Sequence, residues 1–300
     1  MKTVVGVIGI GLMGGAMSEV LCEAGRTVVG YDIKPEPRRR LRRAGGRPLA
    51  SSTAVASSAD FIITSLPDSE ALADVVDKIA AARRPRVKVV IEMSTLPIAD
   101  KQRGKARLRP HGITLLDCPV SGTVSRLRQG TWTIYRSGPA AAAKSAVPVL
   151  AAFTKSTPYV GAFGNGMRLK FLANHLLAIN LVAIGESLAF ARKMGIDAKT
   201  YYDMFASHPV YGTVMFKLRG GMMVERNYLP AQMKMQTWQK DMRVIGDMAR
   251  IVGCPAPLFS ATVPFYNAAM AQGLDQQDTA AVFEVLNEMA ALEPPRKRRA

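Results

Sequence analysis

The sequence predicts an α/β domain built around a parallel β-sheet, followed by a domain made only of helices. Three observations carry this prediction. Over the first 150 residues, short runs of β-branched apolar residues alternate with helical patterns. A glycine-rich turn follows the first of these runs, and convincing strand patterns stop after about residue 165. Strands that alternate with helices form βαβ units, which place parallel strands in one sheet.

Each element of the first domain follows from a local pattern. Residues 3–10 (TVVGVIGI) form a short buried strand because β-branched residues dominate the run and glycines end it. A helix over 13–25 follows, and Gly25 is its C-terminal cap. Further strands are predicted over 27–32, 59–66, 86–92, 112–116 and 131–137, and further helices over 68–82, 97–109 and 139–152.

The rest of the chain shows helical patterns alone. The predicted helices cover 165–193, 197–207, 231–252, 258–272 and 277–291. We place the domain boundary near Gly161–Gly164, which divides the chain into residues 1–162, residues 163–292 and a basic tail over 293–300 (EPPRKRRA). The tail is broken by prolines, and we interpret it as a frayed, solvated end.

The composition is that of an ordinary globular protein, with 48% hydrophobic residues and 21% charged residues. The three cysteines form no C-x-x-C pair and the three histidines no H-x-x-x-H pair, which excludes a disulfide scaffold and the usual metal-site spacings. We therefore expect no metal. Polar residues interrupt the apolar run of the 165–193 helix, which favours a buried helix over a membrane span. The N-terminus lacks a signal-peptide pattern, so a cytoplasmic location is expected.

The net charge is strongly positive. Lys and Arg total 40 against 23 Asp and Glu, which gives a formal charge of +17. Much of the excess lies in an arginine-rich segment, residues 38–47. Such a surface attracts anions, but no aromatic residues interleave this run, so the stacking contacts of a single-strand binder are missing. We interpret the segment as a solvated basic face, and nucleic acid is not an expected partner.

The first predicted strand runs into the glycine motif Gly9-Ile10-Gly11-Leu12-Met13-Gly14. A G-x-G-x-x-G between a strand and a helix is typical of dinucleotide binding. Its first glycine permits a tight turn, its second lets a pyrophosphate approach the backbone, and its third allows close helix–strand packing. The motif predicts a Rossmann-type, doubly wound sheet in an NAD(P)-binding domain over 1–162.

Asp32 ends the second predicted strand, 18 residues after Gly14. An acidic residue about 20 residues beyond the motif binds the ribose hydroxyls of NAD, and it would repel the 2′-phosphate of NADP. Lys34 and the arginines from 38 onward are the competing signal, because they could reach that phosphate. We predict NAD, with NADP as the alternative.

Two later segments carry residues suited to acid–base chemistry and carboxylate binding. Lys170 and Asn174 have the i, i+4 spacing that puts them on one face of a helix. Lys170 is flanked by apolar residues, a setting that destabilises the ammonium and suits a general acid/base. Ser121 and Gly122 follow a strand, where a turn exposes backbone N–H groups and a hydroxyl to a carboxylate.

In combination these motifs resemble the β-hydroxyacid dehydrogenase family, which includes 3-hydroxyisobutyrate dehydrogenases and tartronate semialdehyde reductases. The resemblance spans about residues 3–292. It is carried by the glycine motif with Met13, by Leu66-Pro67 and Ser94-Thr95, by the loop DCPVSGT (117–123), by the 164–174 segment and by Lys240-Asp241.

The resemblance implies hydride transfer between a small, 3-hydroxyisobutyrate-like β-hydroxy acid and NAD. It implies that Lys170 is the acid/base and that Asn174 fixes its geometry. The implied cofactor-binding residues are Gly9, Gly11, Leu12, Met13, Gly14, Asp32, Leu66, Pro67, Thr95 and Lys240. The implied substrate-binding residues are Ser121, Gly122 and Thr123. The helical domain (163–292) would bind substrate and support a homodimer or homotetramer.

The chain departs from the family pattern at a few positions. Glu19 replaces the usual Asn of the opening signature, Thr123 the second Gly of the substrate loop, and His175 the second Asn of the catalytic helix. Gln232 lies near the place where a Phe is expected before Lys240. These changes lie mainly around substrate contacts, so they bear on which acid binds. We interpret His175 as a packed residue rather than a second base.

Three alternatives stay open at the level of sequence. The 6-phosphogluconate dehydrogenases use a similar Lys and Asn, but they need a longer C-terminal region. The imine reductases usually lack the lysine. A catalytically idle member that binds nucleic acid or another polyanion through its arginine-rich face is the alternative from a different functional class.

Overall fold

A computed structural model describes residues 3–292. The predicted tail, 293–300, lies outside the described residues. The chain divides into two compact units, the first ending at Lys170 and the second beginning at Phe171.

The first unit contains a six-stranded parallel sheet with the strand order β3-β2-β1-β4-β5-β6. Its strands are β1 (Val4–Ile8), β2 (Thr27–Tyr31), β3 (Arg47–Pro48), β4 (Phe61–Thr64), β5 (Val89–Glu92) and β6 (Thr114–Asp117). This order confirms the predicted Rossmann-type, doubly wound sheet.

Helices surround the sheet. They are α1 (Leu12–Glu23), α2 (Pro35–Arg43), α3 (Ser52–Ser58), α4 (Ser69–Ala80), α5 (Ile98–Leu108), α6 (Val124–Arg128), α7 (Ala140–Ser145) and α8 (Val147–Leu150). Neighbouring strand residues belong to opposite apolar clusters, as Ile62 and Ile63 show. Both faces of the sheet are therefore buried, which explains why its strands read as continuous apolar runs.

The carboxyl ends of the strands lie in one row. Ile8 pairs with Tyr31 on one side and with Thr64 on the other, and the row continues through Glu92 to Asp117. The order in which successive strands join the sheet reverses between β1 and β4, and ligands bind such sheets just beyond the strand ends at this point. The loops that follow these residues are therefore the place to look for a site.

The end of the first unit differs from the prediction. Only Thr133–Ile134 of the predicted strand 131–137 forms a strand (β8), and it pairs antiparallel with β7 (Val120–Ser121) outside the main sheet. The predicted helix 139–152 is divided in two at Ala146. Pro148 lies at the start of the second piece, where its missing N–H costs nothing.

Helices α2 and α3 were not predicted. Helix α2 buries only Leu41 among nine residues, so it has no apolar period to detect. Its remaining signals are Pro35 in the first turn, Glu36 beside it and arginines in the last turn. Three of its arginines pair with carboxylates: Arg39 and Arg43 with Glu36, and Arg40 with Glu19.

The second unit is helical throughout its described residues, 171–292, and no strand is assigned there. Its elements are α9 (Asn165–Lys193, which begins in the first unit), α10 (Ala198–Ala206), α11 (Gly221–Glu225), α12 (Met235–Ile251), α13 (Pro257–Ala271) and α14 (Val282–Met289). A π-helical turn, Phe216–Gly220, precedes α11, and a 3₁₀ turn, Thr279–Ala281, precedes α14. The predicted all-α second domain is confirmed.

Asp278 holds the last helices of this unit together. Its buried carboxylate accepts hydrogen bonds from the guanidinium of Arg219 and from the backbone N–H groups of Gln232 and Met233, at 2.9 and 3.0 Å. A carboxylate that is both ion-paired and hydrogen-bonded tolerates burial. The single side chain thus links the π-helical turn, the loop before α12 and the start of α14.

Helix α9 has the bounds that the sequence predicts, 165–193. Its length and composition would allow it to cross a membrane, and core helices of soluble proteins share that property. Buried residues account for 44% of its most apolar window. The hydroxyl of Tyr266 donates to the carbonyl of Ala178 at 2.9 Å, so α13 packs directly on it.

The compact first unit extends eight residues past the predicted boundary at 162. The first turn of α9 is hydrogen-bonded to the sheet: the N–H of Met167 donates to Asp117 and that of Gly166 donates to Ser137. These bonds explain why the division falls inside the helix, after Lys170. The boundary at 162/163 stays a prediction.

Gly25 ends α1 with a φ of +69°, and its N–H donates to the carbonyl of Cys22 at 2.9 Å. Nothing lies within 4 Å of a Cβ placed there, so the only obstacle to a side chain is the left-handed backbone. We expect Gly25→Ala to lower the free energy of unfolding by roughly 1 kcal/mol. Gly25→Asn should cost less, since Asn tolerates this conformation better. Urea unfolding of the three proteins measures the difference, and equal stabilities would contradict the assignment.

Candidate active site

The glycine motif forms a tight loop between β1 and α1. Gly9 has a φ of +84°, and a Cβ there would lie 2.3 Å from the carbonyl oxygen of Ser65. A Cβ on Gly14 would lie 1.9 Å from the carbonyl oxygen of Gly9. No atom comes within 4 Å of a Cβ on Gly11. Gly9 and Gly14 thus serve the fold of the loop, while Gly11 leaves open space above the backbone.

The N-terminus of α1 suits an anion. Gly11 occupies the N-cap position, no side chain caps the helix, and its first turn contains no acidic residue. Backbone N–H groups and the positive end of the helix dipole therefore face the space above Gly11. Leu12 is exposed and Met13 is half-buried against the core. These residues fit the pyrophosphate of a dinucleotide.

Asp32 has a structural contact that the sequence did not predict. Its Oδ2 accepts a hydrogen bond from the N–H of Ile10 at 2.7 Å, and its Oδ1 accepts one from the N–H of Lys34 at 2.8 Å. The carboxylate therefore holds the glycine loop against the end of β2. Each carboxylate oxygen has a second lone pair, so the group can still accept from ribose hydroxyls.

The loops after β4 and β5, which carry predicted cofactor contacts, are hydrogen-bonded to each other. The N–H of Leu66 donates to the hydroxyl of Ser94 at 2.8 Å, and the N–H of Ser94 donates to Glu92 Oε1 at 2.9 Å. Pro67 and Thr95 are the next residues along these two loops. The structure thus holds Leu66, Pro67 and Thr95 beside each other at the carboxyl edge of the sheet.

A buried charge cluster lies directly beneath these loops. Lys101 Nζ contacts Glu92 Oε2 at 2.5 Å and Asp117 Oδ1 at 2.8 Å, and all three side chains are 0% exposed. Burial alone would lower the pKa of Lys101, but the charges and hydrogen bonds of Glu92 and Asp117 raise its pKa above the usual value. Sequence analysis missed Lys101, because it stands in a helix rich in exposed basic residues.

The predicted substrate loop is seated on Trp132. Gly122 has a φ of +148°, and a Cβ there would lie 2.2 Å from Cδ1 of the buried Trp132 ring. The indole N–H donates to the carbonyl of Thr123 at 2.6 Å. Ser121 lies in strand β7, and Ser121, Gly122 and Thr123 are all half-buried. The loop is therefore held from below and keeps polar groups at its surface.

Lys170 lies in the first turns of α9, three residues after Met167. The N–H of Met167 donates to Asp117 Oδ2 at 2.9 Å, so α9 begins on the same carboxylate that binds Lys101. Gly166 permits the close approach, since a Cβ there would lie 2.8 Å from the carbonyl oxygen of Asp117. Lys170 is 7% exposed. The site thus includes a buried lysine next to the carboxyl edge of the sheet.

Asn174 belongs to the second unit, one turn along α9. Its Nδ2 donates to Asp241 Oδ2 at 2.9 Å, and both side chains are 3% exposed. The contact fixes the amide so that Nδ2 faces Asp241. Asn174 and Asp241 are therefore in contact, and Lys240 is the residue that precedes Asp241 in the chain; no role was predicted for Asp241.

Two of the departures from the family pattern have a structural explanation. Glu19 accepts from Arg40 at 2.6 Å and from Arg128 at 2.8 Å, so it joins α1 to α2 and to the helix that follows the substrate loop. The His175 ring stacks on Phe259 with centroids 5.2 Å apart, in agreement with a packed residue.

Among residues 3–292, no group of three or more His, Cys, Asp or Glu side chains could hold a metal ion. The first unit provides a buried amine, a polar loop and a helix N-terminus suited to an anion. Together these can bind a dinucleotide and a carboxylate and move a proton at a nearby hydroxyl.

Two family profiles match this chain, one in each half. The profile described as the NAD binding domain of 6-phosphogluconate dehydrogenase matches residues 4–161. The profile described as NAD-binding of NADP-dependent 3-hydroxyisobutyrate dehydrogenase matches residues 164–286. The C-terminal match therefore favours the hydroxyacid dehydrogenases over the 6-phosphogluconate dehydrogenases.

Individual relatives extend over nearly the whole chain. L-threonate dehydrogenase of Cupriavidus necator is 32% identical over 285 residues, covering 94% of this chain and 95% of that protein. The human mitochondrial 3-hydroxyisobutyrate dehydrogenase is 28% identical over 300 residues and covers 96% and 88%. The structure of Mycobacterium tuberculosis 3-hydroxyisobutyrate dehydrogenase with L-serine matches with a TM-score of 0.85 at 27% identity, covering 95% and 99%.

Substitutions of Gly14 and of Gly11 in the glycine loop should have different effects on stability and on NADH binding. Gly14→Ala forces a Cβ onto the carbonyl of Gly9, so it should lower thermal stability and also abolish NADH binding. Gly11→Ala places its Cβ in open space, so the protein should keep its stability and lose NADH affinity about tenfold or more, because the methyl group obstructs the pyrophosphate. Thermal unfolding and NADH fluorescence titration separate the two. Unchanged NADH affinity in Gly11→Ala would contradict this placement of the cofactor.

The different burial of the cysteines predicts which of their thiols react in the native protein. Cys118 is fully buried beside Asp117, and burial, followed by that negative charge, raises the pKa of its thiol to about 12. Cys254 is exposed. In the native protein a thiol reagent should label Cys254 quickly and Cys118 only after unfolding, which mass spectrometry of labelled peptides detects. Cys254→Ser should remove the fast phase, and rapid labelling of Cys118 would contradict its burial.

Proposed function

Because the chain belongs to the β-hydroxyacid dehydrogenase family, we propose that it transfers a hydride between a small β-hydroxy acid and NAD, with Lys170 as the general acid/base. That it is an NAD(P)-dependent hydroxyacid dehydrogenase follows from its relatives over the whole chain. We propose the identity of the hydroxy acid substrate, the role of Lys170 and the preference for NAD over NADP. The observation that carries it is the buried Lys170 on a helix that begins at the sheet edge bearing the glycine loop.

The residues of the first unit fit the dinucleotide. The N-terminus of α1 would hold the pyrophosphate and Asp32 the ribose. Leu66, Pro67 and Thr95 would contact the side of the nucleotide that faces the strand ends. The family resemblance implies that Lys240 is also a cofactor-binding residue. The bound nucleotide supplies the hydride acceptor, and the protein supplies orientation and electrostatics.

The substrate carboxylate would bind the 121–123 loop. Its backbone N–H groups and the hydroxyls of Ser121 and Thr123 are donors suited to an anion. The rigid seat of this loop on Trp132 holds these donors in place, which limits the entropy lost when the acid binds.

Lys170 would take the hydroxyl proton as the hydride leaves the carbon that bears the hydroxyl. In the reverse direction the protonated lysine returns that proton to the carbonyl oxygen as hydride arrives. Asn174 would fix the geometry of the hydroxyl or of the amine, because Asp241 sets the orientation of its amide. Asp241 would thus act through Asn174 as a positioning residue.

The preference for NAD rests on Asp32 and its surroundings. A carboxylate at this position repels a 2′-phosphate. Of the competing cations, Arg38 lies over the Tyr31 ring at 5.9 Å and its Nε points to the carbonyl of Lys34 at 3.4 Å, so its guanidinium already has contacts. Both observations support NAD over NADP.

A second candidate acid is more hydroxylated than 3-hydroxyisobutyrate. Thr123 adds a hydroxyl to the substrate loop, and it lies 2.9 Å from the hydroxyl of Ser125. A relative at 32% identity is named for L-threonate, a four-carbon acid with three hydroxyl groups. A loop with added hydroxyls suits such a substrate, since a site that hydrogen-bonds substrate hydroxyls rejects acids that lack them.

The test is formation of NADH, or of NADPH, with 3-hydroxyisobutyrate, L-threonate and L-serine. Lys170→Ala should reduce kcat by about 10²- to 10⁴-fold, the contribution of a general acid/base. Lys193→Ala is the matched control, because it removes an exposed lysine at the far end of the same helix. Wild type should also turn over faster with NAD than with NADP.

Two results would contradict the proposal. Full activity of Lys170→Ala would exclude Lys170 as the acid/base. Absence of turnover with every acid, together with DNA binding that weakens steeply with salt and ignores NAD, would favour a polyanion-binding role. The pairing of Arg39, Arg40 and Arg43 with carboxylates supports the enzyme, because it leaves fewer arginines for a polyanion.

A further inference from the structure

The buried charge cluster of Lys101, Glu92 and Asp117 is unusual as a source of stability. Three charged side chains at 0% exposure lie at the ends of two neighbouring strands and a helix. Burying ions costs solvation, and apolar side chains of the same volume would stabilise a fold about as well. Stability alone therefore does not explain the three buried charges. The segments of the chain that the cluster holds in place offer a better explanation.

The two carboxylates each divide their oxygens between Lys101 and a backbone N–H group. Glu92 gives one oxygen to Lys101 and the other to the N–H of Ser94, whose hydroxyl accepts from Leu66. Asp117 gives one oxygen to Lys101, and its other oxygen accepts from the N–H of Met167 and from the hydroxyl of Ser137. One ammonium thus joins the loops after β4 and β5 to the first turn of α9.

The bonds from Glu92 to Ser94 and Leu66 form one arm of the cluster, and the bond from Asp117 to Met167 forms the other. Each arm ends at a part of the site that hydride transfer requires. The Glu92 arm ends beside Pro67 and Thr95, where we place the nucleotide. The Asp117 arm ends three residues before Lys170, and Asp117 also begins the substrate loop. The dipole of the 29-residue helix α9 adds positive potential at Asp117, which offsets the surplus negative charge of the cluster.

We propose that Lys101 is a positioning residue for hydride transfer: it fixes the turn that carries Lys170 relative to the loops that hold the nucleotide. This inference rests on the proposed function for its kinetic consequence. Lys101 touches neither reactant and acts through Glu92 and Asp117. Its removal changes rate because the placement of reacting groups to within about 1 Å is worth up to about 100-fold.

The experiment compares Lys101→Met with Lys105→Met. Both substitutions remove a lysine from α5, but Lys105 is half-buried and lies over the Phe163 ring at 5.1 Å, outside the cluster. We expect Lys101→Met to lower kcat, counted per NADH-binding site, by about 10- to 100-fold. Lys105→Met should stay within about twofold of wild type, as surface changes usually do.

Hydrogen exchange of the nucleotide-free protein supplies a readout that does not need turnover. In Lys101→Met the amides of Leu66, Ser94 and Met167 should exchange at least about tenfold faster, while amides in the middle of the strands keep their rates. A uniform acceleration over the whole unit, or kcat per binding site within twofold of wild type, would show a role in stability alone and overturn the proposal.

If Lys101→Met does not fold, Glu92→Gln provides the test of the positioning role. The amide keeps the shape of Glu92 but has one acceptor oxygen, so it cannot serve both Lys101 and the N–H of Ser94. We expect faster exchange at Ser94 and Leu66, unchanged exchange at Met167, and NADH affinity lowered about fivefold, the factor of one neutral hydrogen bond. Unchanged exchange at all three amides together with unchanged NADH affinity would overturn the proposal.

Failure of the proposed function gives a different result. If wild type turns over no hydroxy acid, the function is wrong, and exchange rates and NADH affinity of the variants still test the positioning role. If wild type turns over an acid and the variants match it in kcat, NADH affinity and exchange, the function stands and the positioning role is wrong.

Discussion

The ammonium of Lys101 lies between Glu92 and Asp117 at 2.5 and 2.8 Å, with all three side chains excluded from water. The parallel pairing of β5 with β6 puts the two carboxylates side by side. Without a cation between them they would repel each other in a medium of low dielectric constant. The loops that follow β4 and β5 and the start of α9 all depend on this arrangement, because each is bonded to one of its oxygens or to Ser94.

In both units a carboxylate holds several segments of the chain together. Asp32 fixes the glycine loop through the N–H of Ile10, Asp241 orients the amide of Asn174, and Asp278 joins three segments around Arg219. Carboxylates suit this task because they accept several hydrogen bonds at once. Lys170, which we propose as the acid/base, then lies on a helix whose start is fixed, rather than on a loop that would have to be ordered when substrate binds.

The sequence predicted the parts of the fold that have a strong period and clear ends. Helix α9 has the predicted bounds because it is long and apolar, with glycines before and after it. Helix α2 was missed because it buries only Leu41. The glycine loop and Asp32 were found from their spacing, since their chemistry is local. Lys101 could not be found this way, because its burial depends on two strands that meet only in the folded sheet. The contact between Asn174 and Asp241 joins residues 67 apart in sequence, so no local pattern could predict it.

The most direct test of the account is the structure of a non-reacting complex of the enzyme with NADH and a hydroxy acid such as L-threonate. The quantity to measure is the distance from Lys170 Nζ to the substrate hydroxyl. If Lys170 is the acid/base, this distance should be that of a hydrogen bond, about 2.6–3.2 Å. We also expect the substrate carboxylate on the 121–123 loop and the pyrophosphate above Gly11. A hydroxyl held by another side chain, with Lys170 out of reach, would contradict it.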